Sequence, residues 1–293
     1  MDITFFLVML VCLYPILWIL LGVFISSAKW KKGILMGVSL SEKESKDPEV
    51  LALARRCRRS LLLLAVPFTL VLIPIYFIPY VSVATFCWFL WILLAMAAPM
   101  PVFHHYYRRL KSLKASRGWE DDPEDRFWLW GMFYRNPDDL RKTVPKRVGV
   151  GTTMNTARRS WKVLMVFLAV CFLSMTALGI WLMTEDFTPM KAVILDDGVE
   201  VRHLKSEFFV AYDDVETVAL LTEPPALSRS IGTSLTYLEK GNYNVRGYGS
   251  CRICMDRRDP VILVLETEEE TYLISFESKA EAEAVIGRID IVK

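Results

Sequence analysis

The sequence predicts an α-helical membrane part of four transmembrane helices followed by a C-terminal all-β domain, a small antiparallel barrel or sandwich capped by one α-helix. Three observations predict it. Mean hydropathy is +0.31 and hydrophobic residues make up 53% of the 293 residues, more than one span added to a soluble domain would give. Long charge-free stretches occupy residues 3–28 and 60–103, with another at about 163–183. After residue 190 the pattern changes to short alternating runs. This composition excludes a disordered or collagen-like chain.

The stretch FFLVMLVCLYPILWILLGVFI within residues 3–28 matches the roughly 20 residues a crossing needs. A cleaved leader would carry Lys or Arg before its apolar run and small residues after it. Here Asp2 precedes, and Lys29, Trp30, Lys31 and Lys32 follow, so the segment reads as a retained span. The 44 residues of 60–103 are about twice one crossing and read as two helices. Pro79, Tyr80, Val81 and Ser82 are expected to turn between them, with Pro74 and Pro79 at the hairpin because proline removes a backbone donor. The fourth span follows Arg158, Arg159 and Lys162 and ends before Glu185 and Asp186. The expected organisation is therefore three helices in 1–101 with a loop at 29–59, a module at 102–160, a fourth helix at 161–185 and a β-domain at 186–293.

Orientation follows from basic residues, which resist translocation while acidic ones matter little. Residues 27–59 hold nine Lys or Arg, residues 102–160 hold thirteen, and the turn near residue 80 holds none. Both basic loops are expected to be cytoplasmic, with the N-terminus and the C-terminal domain extracytoplasmic. The C-terminal 109 residues carry 21 acidic and 12 basic side chains, a balance compatible with that side.

Residues 102–118 mix aromatic and basic side chains, as interfacial segments on the cytoplasmic face commonly do. His104 and His105 are adjacent, so on a helix they diverge and do not form a metal pair. An acidic patch, Glu120–Asp125, precedes an aromatic-rich stretch that is expected to pack as a small module or lie against the membrane surface. Asn136, Pro137, Asp138 and Asp139 signal a turn, and Val148–Gly151 reads as a flexible strand-like link. The series Trp130, Gly131, Phe133, Tyr134, Asn136, Pro137, Asp138, Asp139, continued by Val144, Pro145, Lys146 and Arg147 and by Gly149 to Asn155, resembles a domain of unknown function found in bacterial multi-span membrane proteins. That resemblance covers about thirty residues and implies a membrane setting without a chemistry. The neighbouring VGVGTTMN lacks the third Gly of a dinucleotide loop and the Gly-Lys-Ser/Thr end of a phosphate loop, and no βαβ unit surrounds it.

In the C-terminal part, MKAVILDDGVEVRH reads as two strands around Asp196-Asp197-Gly198. FFVAY, VETVAL, NYNVRGYG, CRICMD, VILVLET and TYLISF are expected as six more, with Thr267–Glu270 as the last hairpin turn. Ser278 is expected to cap a final helix with Glu281 at its third position and Ala282, Val285, Ile286 and Ile289 as its apolar stripe. This order resembles the bacterial pleckstrin-homology-like (PH) domains, on Asp197-Gly198-Val199, Tyr212 to Val218, Leu227-Ser228-Arg229, Gly241-Asn242-Tyr243 and Gly247 to Cys251. The resemblance implies a PH-like barrel and an interaction role. A phosphoinositide analogy is not followed, since those binders use a basic mouth and this domain is net acidic. Arg246, Arg252, Arg257 and Arg258 are a possible binding patch, weighed against a solvated, charge-guarded strand edge.

Cys251 and Cys254 in CRIC admit three readings, a redox pair, a structural bridge or free buried thiols. Strand alternation favours the last, because positions three apart point to opposite faces. No second CxxC supports zinc. Glu266, Glu268, Glu269 and Glu270 fit solvated charge at a turn. No Ser-His-Asp or Cys-His arrangement is visible, His203 is the one histidine outside the 104 and 105 pair, and the spans carry no Asp, Glu, Lys or Arg. The expectation is a non-enzymatic bacterial plasma-membrane protein without catalytic residues, cofactor or metal. Its partners would be the bilayer and a protein or peptide, not nucleic acid. Competing readings are an accessory subunit or regulator of a transporter or of antimicrobial-peptide immunity, and a membrane enzyme using residues 119–155.

Overall fold

The computed structural model describes residues 3–292. Four helices are long and apolar enough to cross a membrane, Ile3–Ser27, Pro48–Tyr76, Val81–Ser116 and Arg159–Phe187, in the places where four spans are expected. The chain divides into two compact units. One runs to Ile78 and resumes over Ala84–Leu178, and the other comprises Pro79–Val83 and everything from Gly179 onward.

In the first unit, α1 (Ile3–Ser27) is followed by a small hairpin of β1 (Ile34–Leu35) and β2 (Val38–Ser39), then the single turn α2 (Glu42–Ser45) and α3 (Pro48–Leu70). Asp47 starts α3 by accepting from the Glu49 N–H at 2.8 Å, and Pro48 occupies the first helical position, where a missing N–H costs nothing. A break at Val71 separates α3 from α4 (Leu72–Tyr76). Pro74 thus lies inside a short helix and not in the expected hairpin. It is tolerated because the first helical N–H groups have no intrahelical acceptor. The non-helical turn is also shorter than expected, since α5 (Val81–Ala97) already includes Val81 and Ser82. After Ala98 comes α6 (Pro99–Ser116).

Helices α1, α3 and α6 bury Leu17, Leu21, Phe24, Leu61, Phe103 and Leu110 in one core. Polar ties cross it: Trp91 Nε1 donates to the Phe68 carbonyl at 2.9 Å, and the Tyr14 and Thr69 hydroxyls pair at 2.9 Å. Such bonds hold helices together where lipid removes the hydrophobic drive between them. Between α6 and α7 (Arg159–Phe187) the chain forms a short 3-10 helix (Pro123–Phe127), a hairpin of β3 (Trp128–Leu129) and β4 (Phe133–Tyr134), and a second hairpin of β5 (Thr143–Pro145) and β6 (Thr152–Met154). Residues 148–151 are therefore the turn of a hairpin and not a strand-like link. Gly149 and Gly151 adopt positive φ there, which only glycine does without strain.

The second unit carries two sheets. The first is antiparallel, β7 (Lys191–Ile194), β8 (Gly198–His203) and β9 (Ser206–Ala211) in that order. The second has six strands, β10 (Val215–Leu221), β11 (Leu227–Ser234), β12 (Leu238–Val245), β13 (Gly249–Asp256), β14 (Val261–Thr267) and β15 (Thr271–Phe276), arranged β10-β14-β15-β13-β12-β11. Among the described residues no ladder joins the two, so they do not close into the expected barrel. The chain changes sheets through the turn Tyr212–Asp214 and enters the second sheet at an outer edge. The sheet is not purely antiparallel either. β15 folds back from β14 into the gap beside β13, so it runs parallel to β13.

Strand β11 was not expected. Its sequence LSRSIGTS shows no apolar alternation because it is an exposed edge that contributes backbone pairing to β12 and little to the core. Helix α8 (Lys279–Val292) starts with the Glu281 N–H donating to Ser278 Oγ at 3.3 Å. Its Ala282, Val285 and Ile289 are buried in a core shared with Val199, Val201 and Val210 of the first sheet and Leu263, Leu265 and Ile274 of the second. The opposite face of the six-stranded sheet buries Tyr243, Cys251, Ile253, Met255 and Leu273.

Candidate functional site

Of the motif residues, Tyr134, Asn136 and Asp139 come together as a folding knot around one buried side chain at the end of the same motif, Asn155. It is fully buried. Its Nδ2 donates to the Asn136 carbonyl at 2.6 Å and the Asp139 carbonyl at 3.2 Å, while its Oδ1 accepts from the Asn136 and Ala157 N–H groups at 3.1 Å. Tyr134 donates its hydroxyl to Asp139 at 3.0 Å and accepts from Asn136 Nδ2 at 3.2 Å. Bonds from Arg141 hold the Asp139 carboxyl far below the usual carboxylate range. Pro137, Asp138, Pro145 and Lys146 are exposed. Gly131 lies where a Cβ would come within 2.9 Å of the Gly37 Cα, so the β3–β4 turn can sit against the β1–β2 hairpin only as glycine.

Arg147 joins a second arrangement. It binds Asp125 through a very short ion pair, approaches Asp122 at 4.0 Å and lies 4.9 Å over the Trp128 ring. Lys114, 2% exposed, donates to the Ser39 carbonyl at 2.9 Å and its hydroxyl at 3.1 Å, and pairs with Asp125 at 3.4 Å. The acidic patch is thus largely consumed in tying α6 and both hairpin regions together. Burial pushes the Asp125 carboxyl up, but Ser39, Arg147 and Lys114 outweigh it and leave it below its ordinary value.

The proposed arginine patch does not assemble. Arg246 follows β12 whereas Arg257 and Arg258 follow β13. The ladder pairs Val245 with Gly249 at one end and Leu238 with Asp256 at the other, so these arginines sit at opposite strand ends. Arg257 pairs with the buried Glu239 and Arg258 with Asp256, each at 2.5 Å. Arg252 stands apart from both, 5.1 Å over the Phe208 ring.

Arg252 instead lines a groove of about 910 Å³ in the second unit, bounded by Trp181, Leu204, Phe208, Ile231 and Glu270. Its floor includes Glu185 and Lys240, an ion pair at 2.5 Å with side chains 5% and 10% exposed. Beneath them His203 accepts from Lys240 Nζ at 3.1 Å through Nδ1, which leaves Nε2 to donate to the Thr188 carbonyl at 3.0 Å. Burial first and the Lys240 cation second push the His203 pKa down, so the ring is neutral. Asp186, next to Glu185, accepts from Ser82 Oγ at 2.5 Å. Sequence reading took Glu185 and Asp186 for flanking charges of a span, and nothing local connects Glu185 with Lys240 and His203.

Cys251 and Cys254 are free and buried. They point into the two different cores of the sheet, as strand alternation requires. Burial pushes their thiols up to about 11 and about 12, which keeps them protonated and unreactive. Among the described residues no His, Cys, Asp and Glu group is arranged to hold a metal.

The second unit is thus two sheets sharing a core with a C-terminal helix. Residues 190–282 match the bacterial PH domain family. No curated protein and no solved structure matches the chain. The match covers the C-terminal PH domain alone, and its span takes in β7 to β15 and the first turn of α8.

Proposed function

We propose that this is a bacterial plasma-membrane protein whose PH domain is a non-catalytic binding platform on the extracytoplasmic side, with residues 29–59 and 102–160 cytoplasmic. The observation that carries the reading is the groove beside β11. That strand ends the six-stranded sheet, so one side of its backbone has no strand partner, and Ile231 on it is 78% exposed. An extended segment of a partner protein could add to the Ile231–Ser234 half of the edge and place side chains in the groove. A register shift between Arg229 and Ile231 interrupts the other half. A binding role is supported by the groove's chemistry: its floor cation is already neutralised by Glu185, His203 has both nitrogens engaged, and the Cys254 thiol is held protonated.

The sidedness rests on charge counting, and internal contacts agree with it. The Lys114–Asp125–Ser39 cluster joins the two basic loops, and the Val81 N–H donates to Thr236 Oγ1 at 2.8 Å, joining the uncharged turn to the PH domain. Reporter fusions at residues 40, 115 and 240 test sidedness, with the first two expected inside and the third outside. A photocrosslinking residue at Ile231 in the full chain tests the groove. An adduct should form there in cells and disappear when Ser206→Trp fills the groove, while the same probe at Ile291, 85% exposed on α8, should stay silent. Equal capture at both positions would remove the groove from the account.

A further inference from the structure

The hairpin tips of the module between α6 and α7 present apolar side chains that its own core does not use. Leu129 and Trp130 at the β3–β4 turn are 43% and 53% exposed, and Val150 at the β5–β6 turn is 86% exposed. Trp130 is held in this position by a backbone with φ 54°, a left-handed conformation that costs a bulky residue energy. The contact between Gly131 and Gly37 fixes that turn from behind. A strained aromatic facing outward asks for an apolar environment that the fold itself does not supply.

The level of the tips on the helices says what that environment is. Trp130 lies 5.3 Å from His104 on α6, directly after the charge-free run that ends at Phe103. Gly149, next to Val150, faces Val23 of α1, where an added Cβ would sit 3.0 Å from the Val23 side chain. Val23 is still inside the first charge-free run, which ends at Ala28. Val148, in the same turn, is buried in the helical core. Both tips therefore reach the depth at which the helices change from apolar to charged, the zone where tryptophan is enriched in membrane proteins. Exposed cations accompany them: Lys146 in the same hairpin as Val150, Arg135 after β4, and Arg108 one turn beyond His104. They suit an anionic lipid surface.

We infer that the two hairpin tips, Leu129-Trp130 and Val150, insert into the headgroup region of the bilayer and anchor the module flat against it. This rests on the four helices spanning the membrane, and the test separates the two claims. The full chain is reconstituted in phosphatidylcholine–phosphatidylglycerol vesicles whose acyl chains are brominated either near the headgroup or near the bilayer centre. Subtracting the emission of Trp130→Phe from that of the unaltered protein isolates Trp130 among the nine tryptophans. Shallow bromines should remove about half of the Trp130 component or more, deep bromines little, and aqueous iodide little, as for an interfacial aromatic. Val150→Trp adds a second reporter, whose extra emission should behave in the same way and does not depend on altering Trp130. If iodide quenches both reporters and lipid bromine neither, while the remaining tryptophans are quenched by lipid, the anchor is wrong and the spans stand. If no tryptophan is quenched by brominated lipid, the spanning reading falls first and takes the anchor with it.

Discussion

Two of the buried charge clusters, one in each unit, are built differently. In the helical unit, Lys114 and Arg147 both pair with Asp125 and reach Ser39 and the Gly37 carbonyl, and Arg147 lies over the Trp128 ring. In the PH domain, Lys240 meets Glu185 and His203 but forms the floor of an open groove. A closed cluster joins elements that are distant in sequence. One that borders a groove places a fixed charge pair where a ligand would arrive. Buried ion pairs add little net stability but are costly to break, so both can be interrogated by removing one partner.

The largest effect is expected at the closed cluster. Arg147→Ala strips Asp125 of its strongest partner and uncovers Trp128, and should destabilise the protein by about 3–5 kcal/mol. Thermal unfolding in detergent micelles measures this. A negligible shift would mean that the module and helices are held by packing alone, and the contrast drawn above would lose its first half.

At the groove, Lys240→Met leaves the Glu185 carboxylate buried and unpaired, at a cost of about 3 kcal/mol. Replacing both charges, Lys240→Met with Glu185→Gln, should recover more than half of that loss, because neither charge is then stranded. Were the double variant no better than the single one, Lys240 would be acting through its aliphatic stem and not its charge.

Within the motif, Asn155→Ala should cost about 1–3 kcal/mol by orphaning buried backbone groups of Asn136 and Asp139. Asp138→Ala, at an exposed position in the same motif, should leave unfolding unchanged. This pair of variants also separates a folding knot from an active site: an enzyme using Asp138 would lose turnover without losing stability.

The two units also differ in how readable they were. The spans were legible because lipid demands an uninterrupted apolar length, and the positions of charge mark its ends. Most PH-domain strands were legible from alternation, and the Ser278 cap from one hydroxyl three residues before Glu281. Strand β11 was not, because an edge held by backbone bonds leaves no period in its side chains. The place of β15 between β14 and β13 was hidden for a related reason, since alternation records which face a residue occupies and not which neighbour its strand chooses. The candidate site was the least readable part. Glu185, His203 and Lys240 are scattered over a helix end and two strands, and the arginines that stood out locally lie at opposite strand ends.

The smallest effect sharpens the comparison most, because only the groove cluster contains a histidine. His203 is neutral in the fold, its pKa lowered by burial and by Lys240, whereas the unfolded chain takes up a proton near the ordinary value of about 6.5. Below that value the unfolded state binds the extra proton. The stability is therefore complete above it and is lost as pH falls from there toward the depressed folded value, at about 1.4 kcal/mol for each unit of depression. The closed cluster should show nothing in this window, since Asp125 titrates below its ordinary carboxylate range and its contribution is lost only as pH falls through that lower value. Alkylation of the buried Cys254 reports opening of the PH domain, and the ratio of its rates in the unaltered protein and in His203→Gln cancels the thiol's own pH dependence. That ratio should rise as pH is lowered from about 7.5 to about 5.5. A ratio that stays level would show that His203 carries its charge in both states, and the groove floor would then be as insensitive to acid as the cluster around Asp125.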